Sequence, residues 1–517
     1  MQASALLLAL TLALVAAQCR APTPQPLSSP TPTPTPAATP TSSASPSTES
    51  GTKVRMDFRE FERVPARLEA LKRGVREMKR RSQVNRNDPR GWTFQANIHG
   101  TNASNPHVAW NQCRHASSHF LTWHRGYVFY FERILREASG DPTFNLPYWD
   151  WTDLAAQGLP GAFRDPQSPL FASPRSMNQA GSTLPTSVRI RALQALTLRS
   201  FFPANGNAGF GVLGAQGTGK GALEQPPHDS VHSIISGLMG STRTAAQDPI
   251  FWLHHCNVDR LWEVWLRRGG GRANPTSNQW LNVSFNRFYD ETGNIASPLR
   301  VSQLGRTADL GYTYDRLPDA PEPMLAAATG AEIVAEASET ELVAAVEKTQ
   351  VTSAPVTIEL GGDKVRELTG KAGAPSPAGD EKRTLLRIGG VSVDQPPGVI
   401  YEVYLNLPAA PEEADSMSPH FVGLIALFGS APGGDELRDD AHAHHASPDA
   451  TGEEFIFDVT RVLATLASAE DSDLATLKVT VVPRGPLLDG KPSKVESNAT
   501  VRIERISLET AAAQPRS

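Results

Sequence analysis

The chain has little cysteine, little net charge and few long hydrophobic runs. Three cysteines in 517 residues are too few for a disulfide framework in a protein of this size. The net charge is −5, with 49 basic and 54 acidic residues mixed along the chain. The sequence shows no basic stripe, so we expect no nucleic-acid partner. Apolar residues still make up 39% of the chain, which predicts two sizeable cores.

One apolar segment stands at the N-terminus. Residues 4–17 have the length of a signal peptide and are shorter than a membrane-spanning helix requires. We therefore predict a signal peptide over residues 1–19 and an exported protein that is periplasmic, surface-bound or secreted. Cys19 leaves two interpretations open: plain secretion, or a lipidated cysteine that attaches the protein to a membrane. The Pro-, Thr-, Ser- and Ala-rich residues that follow predict a disordered tether over 20–53.

The run DPIFWLHHCNVDRLW at residues 248–262 predicts an amphipathic helix with two adjacent histidines, His254 and His255. His255 is expected to point inward, because it shares one helix face with three apolar residues, Phe251, Val258 and Trp262. Asp259 lies one turn after His255, where a carboxylate can hold the imidazole in place. His254 projects from a different position around the helix. His255 is therefore a candidate metal ligand.

Two further histidines precede this helix. His228 and His232 are four residues apart, so they lie on one helix face and can present two imidazoles to the same metal ion. His255 from the second helix supplies a third nitrogen. The three histidines together predict a metal site rather than a pair of solvated surface histidines.

A second group lies nearer the N-terminus and contains His99, His115, His119 and His124. Residues 124–138 predict a helix that carries His124 on its apolar face. Spacing alone favours His115 with His119, since four residues separate them. His115 and His124 can share a metal only if His115 lies on a bend before the helix. From the residues alone, the choice between His115 and His119 stays open.

Several motifs follow one another in a characteristic order: NIHG at His99, Cys-x-His at 113–115, FLTWHRGYVFYFER, LPYWDW at 146–151, PHDSVH and DPIFWLHHCNVDRLW. Over residues 92–316 they resemble the central domain of the tyrosinase and polyphenol oxidase family. This family comprises coupled binuclear copper proteins, including catechol oxidases and hemocyanins. The resemblance implies a mainly α catalytic domain over residues 54–316, a four-helix bundle that holds a binuclear copper site.

By this resemblance six histidines bind copper: His99, His115 and His124 the first ion, and His228, His232 and His255 the second. His254 and Asp259 are then expected to contact the ligands of the second ion without binding it, and His119 is expected to line the site. Neutral imidazoles suit copper, which cycles between Cu(I) and Cu(II). The Cys113-x-His pattern resembles family members in which the thiol is joined to the ring of the second histidine, here His115, as a thioether. A free buried thiol is the alternative.

The resemblance also implies a copper-dependent oxidase that uses dioxygen to convert o-diphenols to o-quinones, with a small phenol and dioxygen as its partners. Glu224 is expected to hold a water and to accept the phenol proton. Asp229 stands where relatives active on monophenols often carry asparagine, which leaves monophenol hydroxylation in doubt. Thr242 occupies the position at which some relatives carry a bulky phenylalanine that covers the first copper. The alternatives are an o-aminophenol oxidase and a hemocyanin-like oxygen-binding protein.

The catalytic domain is expected to close at residues 310–315, because this run resembles the family's tyrosine motif that ends the domain. In relatives that motif packs on an arginine, and Arg55 is the matching candidate. Residues 317–350 are rich in Ala, Glu and Pro and predict a linker.

Beyond the linker the periodicity changes to that of strands, and an antiparallel β-sandwich is predicted over 351–510. Its strands are expected at 356–360, 383–388, 399–405, 420–428, 454–459, 477–482 and 501–506. The run FIFDV resembles a strand of the C-terminal domain of plant members, which shields the active site. A role in stability or surface attachment alone is the alternative. The cluster of His442, His444 and His445 fits a solvated loop better than a further copper site.

Overall fold

The computed structural model describes residues 52–204, 207–212, 219–318, 331–334, 339–372, 382–408, 410–432, 452–469, 474, 476–494 and 497–512. The predicted signal peptide, almost all of the tether, Cys19 and the cluster of His442, His444 and His445 lie outside these residues. Residues from Thr52 onward form one compact unit. In the described part of the chain, no helix is both long and apolar enough to cross a membrane.

The first part of this unit is mainly helical. Its helices are α1 (Phe58–Glu62), α2 (Pro65–Val84), α3 (Trp92–His99), α4 (Phe120–Ser139), α5 (Gly161–Arg164), α6 (Thr186–Ala195), α7 (Asp229–Ile235), α8 (Ile250–Arg267) and α9 (Asn278–Leu281). Short strands accompany them: β1 (Lys53–Arg55), β2 (Ser182–Thr183), β3 (Ser284–Phe285), β4 (Leu299–Arg300) and β5 (Tyr312–Tyr314). We call this part the helical region.

Helices α2, α4 and α8 pack around one hydrophobic core. Gly74 lets α2 approach α4 closely, because a Cβ at this position would lie 2.7 Å from Leu135 Cδ1. On the other side of α4, the rings of Phe131 and Trp252 stack with centroids 3.3 Å apart. Aromatic pairs of this kind bury large apolar surfaces and fix the relative position of two helices.

The two ends of the helical region meet. Strand β1 pairs with β5 in parallel, and the Arg55 guanidinium lies 3.9 Å above the Tyr312 ring. Arg55 Nη1 also donates to the hydroxyl of Tyr314 at 3.1 Å. The predicted contact between Arg55 and the tyrosine motif is therefore confirmed.

The second part, which we call the sheet region, contains two larger antiparallel sheets. Its elements are β6 (Glu332–Ile333), β7 (Thr340–Val351), β8 (Val356–Leu360), α10 (Asp363–Gly370), β9 (Lys382–Val393), β10 (Ile400–Leu405), β11 (Phe421–Ile425), β12 (Glu453–Asp458), α11 (Thr460–Ala467), β13 (Leu477–Arg484), β14 (Leu487–Leu488), β15 (Lys491–Pro492) and β16 (Val501–Ala512). One sheet has the order β11-β10-β13-β8 and the other β6-β12-β9-β16-β7. Residues from both sheets share one hydrophobic cluster.

A strand stands at each of the seven predicted positions, but the predicted linker is wrong at its C-terminal end. Residues 340–351 form β7, which pairs with β16 over most of its length. The strand lies at the edge of its sheet, and all but one of its residues are exposed or only half-buried. Its Ala- and Glu-rich sequence therefore lacks the apolar alternation of a half-buried strand, and composition alone did not reveal it.

The sheet region packs directly on the helical region. Ile400, Tyr404, Phe421 and Phe428 belong to the same hydrophobic cluster as the core of the helical region. A strand pairing also joins the two regions, since β14 pairs with β2. The sheet region is therefore docked against the helices rather than only tethered to them.

Candidate metal centre

The N-terminal histidine group comes together before and along α4. His99 is the last residue of α3 and His124 lies within α4. Together with His115 and Cys113, they place one potential ligand atom each within 4.8 Å of one another. His115 reaches this group from a bend, since Ala116 has a φ of 51°. The structure therefore brings His115 to His124.

His119 lies elsewhere. Its ring stacks on Trp280 with centroids 5.8 Å apart and meets the edge of Phe285. It belongs to neither of the two metal-binding groups among the described residues. The ring of His119 packs among aromatic side chains, and its place lining the site stays a prediction.

The second histidine group is formed by α7 and α8. His228 ends the turn Glu224–His228 immediately before α7, and His232 lies in that helix. These two histidines group with His254 and His255 of α8, again with ligand atoms within 4.8 Å of one another. The rings of His255 and His124 are almost parallel, with centroids 4.3 Å apart. The two groups therefore face each other across α4 and α8.

Most of these imidazoles are oriented through their Nδ1 atoms. The contacts at Nδ1 are His99 to the Thr242 carbonyl at 2.8 Å, His124 to the Phe120 carbonyl at 2.8 Å, His228 to Asp229 Oδ1 at 2.9 Å, and His232 to the Met239 carbonyl at 2.9 Å. The Nε2 atoms of His99, His228 and His232 are buried and have no hydrogen-bond partner among the described residues. A histidine fixed at one nitrogen and open at the other is the arrangement typical of a metal ligand.

Burial keeps these histidines neutral. It lowers the pKa of His99 to about 4 and that of His254 to about 3. The pKa values of His115, His124, His228, His232 and His255 are also well below 6.5, because burial and the neighbouring imidazoles disfavour a positive charge. Neutral imidazoles can donate their lone pairs to a metal at neutral pH. A donor set of this kind fits copper and offers few charged oxygens to a hard ion.

Cys113 lies against the first group. Its Sγ atom is 3.3 Å from Nδ1 of His115 and 3.9 Å from Nε2 of the same ring. The ring carbon between these two nitrogens is therefore close to the sulfur. The sulfur is also 3.4 Å from Nε2 of His124. Within the part of the chain that the structure describes, Cys113 and Cys256 are both buried and form no disulfide.

The three residues expected to act in the reaction support the histidines. Glu224 accepts a hydrogen bond from the Ala116 backbone N–H at 2.9 Å and so supports the bend that carries His115. Asp229 holds His228, and its other oxygen pairs with Lys220 Nζ at 2.9 Å. Thr242 is buried and holds His99 through its carbonyl.

Asp259 does not hold His255, so the expectation drawn from their spacing is wrong. Its carboxylate instead binds Arg125 Nε at 2.5 Å and accepts hydrogen bonds from the hydroxyls of Tyr312 and Tyr314 at 2.6 Å each. Two charged and two phenolic partners are available on that side of α8, since Arg55 Nη1 is also within 3.4 Å. A carboxylate is stabilised more by buried guanidinium groups than by a neutral imidazole.

Sequence reasoning missed two residues at this centre. Phe428, which follows β11 in the sheet region, stacks on His232 with centroids 4.0 Å apart and approaches His115 and His228 at 5.6 and 5.9 Å. Lys220 donates to the Phe428 carbonyl at 2.9 Å. All of these contacts join segments about 200 or more residues apart in sequence, and no local pattern signals them.

Two facing groups of neutral imidazoles, buried except for the half-buried His115, define a nitrogen-ligated binuclear metal centre of the class that copper oxidoreductases use. Comparison with known proteins agrees. The family model described as the common central domain of tyrosinase matches residues 89–195 and 194–268. A model described as a domain of unknown function (DUF7868) matches residues 333–511.

A tyrosinase from Hahella sp. (strain CCB-MM4) is 32% identical over 487 residues, which cover 84% of this chain and 95% of that protein. A chloroplastic polyphenol oxidase from Malus domestica is 28% identical and covers 63% of this chain and 62% of the relative. The solved structure of latent apple tyrosinase superposes with a TM-score of 0.55 at 24% identity, covering 89% of this chain and 97% of the other. The chain belongs to the tyrosinase family. It is an enzyme of the polyphenol oxidase type and uses two copper ions to oxidise phenols.

Proposed function

We propose that this enzyme oxidises o-diphenols to o-quinones: two diphenols and one dioxygen give two quinones and two waters. Bound copper supplies the electron transfer between phenol and dioxygen. The observation that carries the proposal is the pair of facing histidine groups. In them the buried Nε2 atoms of His99, His228, His232 and His255 have no hydrogen-bond partner among the described residues. The role of the chain is to orient the ligands and the substrate and to exclude water from the centre.

For the ligands we propose His99, His115 and His124 at the first copper, and His228, His232 and His255 at the second. The choice of His255 over its neighbour rests on which way each ring faces. His255 contacts both groups, lying 4.3 Å from His124 and 5.1 Å from His228 between ring centroids. His254 contacts the second group and packs 5.8 Å from Trp151 on the far side. A ligand in a binuclear centre is expected to face the neighbouring ion.

We further propose that α3, α4, α7 and α8 surround the two ions as a four-helix bundle, and that the two antiparallel sheets stack as a sandwich. The helices are the elements that carry His99, His124, His232 and His255. Inward-projecting ligands from facing helices are a common way to build such a centre. The hydrophobic cluster shared by the two sheets supports the sandwich.

The proton chemistry is assigned to carboxylates close to the histidines. Glu224 is 1% exposed and binds the backbone beside His115, so we propose that it accepts the phenol proton directly or through a water. Asp229 is assigned a different role, because its two oxygens face His228 and Lys220. We propose that Asp229 orients His228, and that diphenol oxidation exceeds monophenol hydroxylation.

Phe428 supports a further proposal, that the sheet region keeps the intact enzyme weakly active. Its ring covers His232 and approaches His115 and His228, so a phenol must displace it to reach the copper ions. A pocket beside it, lined by Asn102, Thr242, Arg243, Leu427 and Gly429, offers the approach. We also propose export, as the apolar residues 4–17 suggest.

The test is oxygen uptake by the copper-loaded protein with catechol, tyrosine, tyramine and o-aminophenol. We expect uptake with catechol to exceed that with tyrosine and tyramine. Faster uptake with o-aminophenol than with catechol would assign the enzyme to a different substrate class. Reversible dioxygen binding without any turnover would instead identify an oxygen-binding protein.

A further inference from the structure

A chain of polar contacts connects the sheet region to the second histidine group. Glu453, the first residue of β12, lies with Oε1 3.2 Å from Lys220 Nζ. Lys220 Nζ in turn lies 2.9 Å from Asp229 Oδ2, and Asp229 Oδ1 lies 2.9 Å from His228 Nδ1. Three successive contacts therefore join a residue of the sheet region to an imidazole of the metal centre.

His228 differs from the other oriented histidines in the kind of group that holds it. Backbone carbonyls hold His99, His124 and His232, whereas a carboxylate holds His228. The Asp229 side chain is 0% exposed and that of Lys220 is 7% exposed. A buried carboxylate is stable only with a close positive or hydrogen-bonding partner. The orientation of His228 thus depends on the position of the Lys220 ammonium group.

Two contacts of this ammonium group come from the sheet region. Besides Glu453, it donates to the Phe428 carbonyl at 2.9 Å. Glu453 is itself held in place, because it accepts hydrogen bonds from Gln225 Nε2 at 2.6 Å and from Ser430 Oγ. Separation of the sheet region would remove both of these contacts of Lys220 and leave the ammonium group facing water.

We propose that Lys220 is a positioning residue that couples docking of the sheet region to copper binding at His228. The inference rests on the proposed function in one respect, the assignment of His228 as a copper ligand. With the sheet region docked, Lys220 fixes Asp229, and Asp229 directs Nε2 of His228 toward the metal. Coupling of this kind is reciprocal: docking strengthens copper binding, and bound copper strengthens docking. The sheet region then has a role in copper retention besides covering the site.

Copper affinity tests the proposal. The full-length protein is titrated with copper, and affinity is measured by equilibrium competition with a copper chelator for Lys220→Met, Glu453→Gln and the double variant. Loss of a group that orients a metal-bound histidine typically weakens binding about 10- to 100-fold. We expect Lys220→Met to lower the affinity for one of the two copper ions by about tenfold. Glu453 contacts no histidine in the chain of contacts described above, so Glu453→Gln should lower the affinity for the same copper ion to a smaller extent.

The sign of the change separates this role from simple charge repulsion. Removing a positive charge near a metal ion would by itself tighten copper binding, so tighter binding in Lys220→Met overturns the proposal. The double variant should bind copper no more weakly than Lys220→Met, because both changes act through one contact chain. Strict additivity of the two effects would contradict the coupling. The control is Lys478→Met on the exposed face of β13, where side-chain exposure is 54%; its affinity should equal that of the wild type.

Failure of the proposal and failure of the proposed function give different results. If Lys220→Met does not fold, Glu453→Gln decides the question, since it preserves the shape of the side chain. Unchanged copper affinity in Glu453→Gln overturns the coupling, whatever the enzyme oxidises. A wild-type protein that binds two coppers and leaves catechol unoxidised would contradict the proposed reaction, while the affinity comparison remains valid.

Discussion

Phe428 of the sheet region stacks on His232 of the second histidine group, with ring centroids 4.0 Å apart and ring planes 13° apart. The contact puts an apolar ring directly against one of the proposed copper ligands, which supports the proposal that the sheet region shields the centre. Phe428 belongs to the core cluster of the helical region, so its position is fixed by packing on all sides.

Phe428→Ala is therefore expected to raise turnover on bulky diphenols several-fold while leaving two coppers bound. The variant opens the centre without removing the sheet region, whose separation would expose Ile400, Tyr404 and Phe421 to water. Steady-state oxygen uptake with catechol and with a larger diphenol measures the effect. Met417→Ala, at a side chain that is 45% exposed, serves as the control. Equal catalytic constants for Phe428→Ala and the wild type, with both fully loaded with copper, would rule out shielding by this ring.

The ligand assignment predicts a pattern of copper content. His255→Ala is expected to bind one copper per chain and to lose nearly all diphenol oxidation, because its ring faces both groups. His254→Ala and His119→Ala should each retain two coppers. Metal analysis of the purified variants decides the matter. Loss of a copper in His254→Ala would show that His254, rather than His255, is the third ligand of the second ion.

The contact between Cys113 and His115 predicts a covalent bond in the copper-loaded protein. Forming a thioether removes one hydrogen from the thiol and one from the ring, a two-electron oxidation for which dioxygen, the oxidant of the proposed reaction, accepts the electrons. The peptide that carries both residues should therefore be lighter than its sequence mass by two hydrogen atoms. Mass spectrometry after digestion measures this. Cys256 is the internal control, since it should react fully with an alkylating agent after denaturation. Full alkylation of Cys113 under the same conditions would show a free thiol.

The contacts of Asp259 predict a loss of stability rather than a loss of copper. Asp259→Asn would remove one of the two carboxylates that face each of the buried guanidinium groups of Arg55 and Arg125, and breaking a buried pair typically costs about 3–5 kcal/mol. Chemical denaturation of the copper-free protein measures the change. Asp363→Asn, at an exposed helix position, should have little effect. Loss of one copper from folded Asp259→Asn would restore the earlier expectation that this carboxylate holds His255.

The features that the sequence predicted correctly are local ones. His228 and His232 share a helix face because of their spacing, and the predicted strands follow the alternation of apolar residues. The error at Asp259 arose because side chains from distant segments compete for its carboxylate. The spacing of Asp259 from His255 was compatible with a contact, but two buried arginines and two tyrosines bind that carboxylate instead. Lys220 and Phe428 could not be found, because nothing in the sequence indicates which segments of the two regions meet.

The neutral histidines predict how the copper-free protein responds to acid. Burial lowers the pKa of His99 to about 4 and that of His254 to about 3, from 6.5 in the unfolded chain. The unfolded state therefore binds more protons below pH 6.5, so stability is greatest above this pH and falls as the pH decreases toward the folded pKa values. Each such group contributes about 1.4 kcal/mol per pH unit within that window.

Denaturant titrations of the copper-free protein between pH 7.5 and pH 4 measure this dependence. His99→Gln should reduce the slope, since it removes one group that takes up a proton on unfolding. The lowered pKa of Asp259 acts in a separate window, because that carboxyl is protonated only at a pH below its usual range of about 4. A free energy of unfolding that stays constant from pH 6.5 to 5 would show that burial does not hold the imidazoles neutral. Their nitrogens would then not be available to bind a metal at this pH.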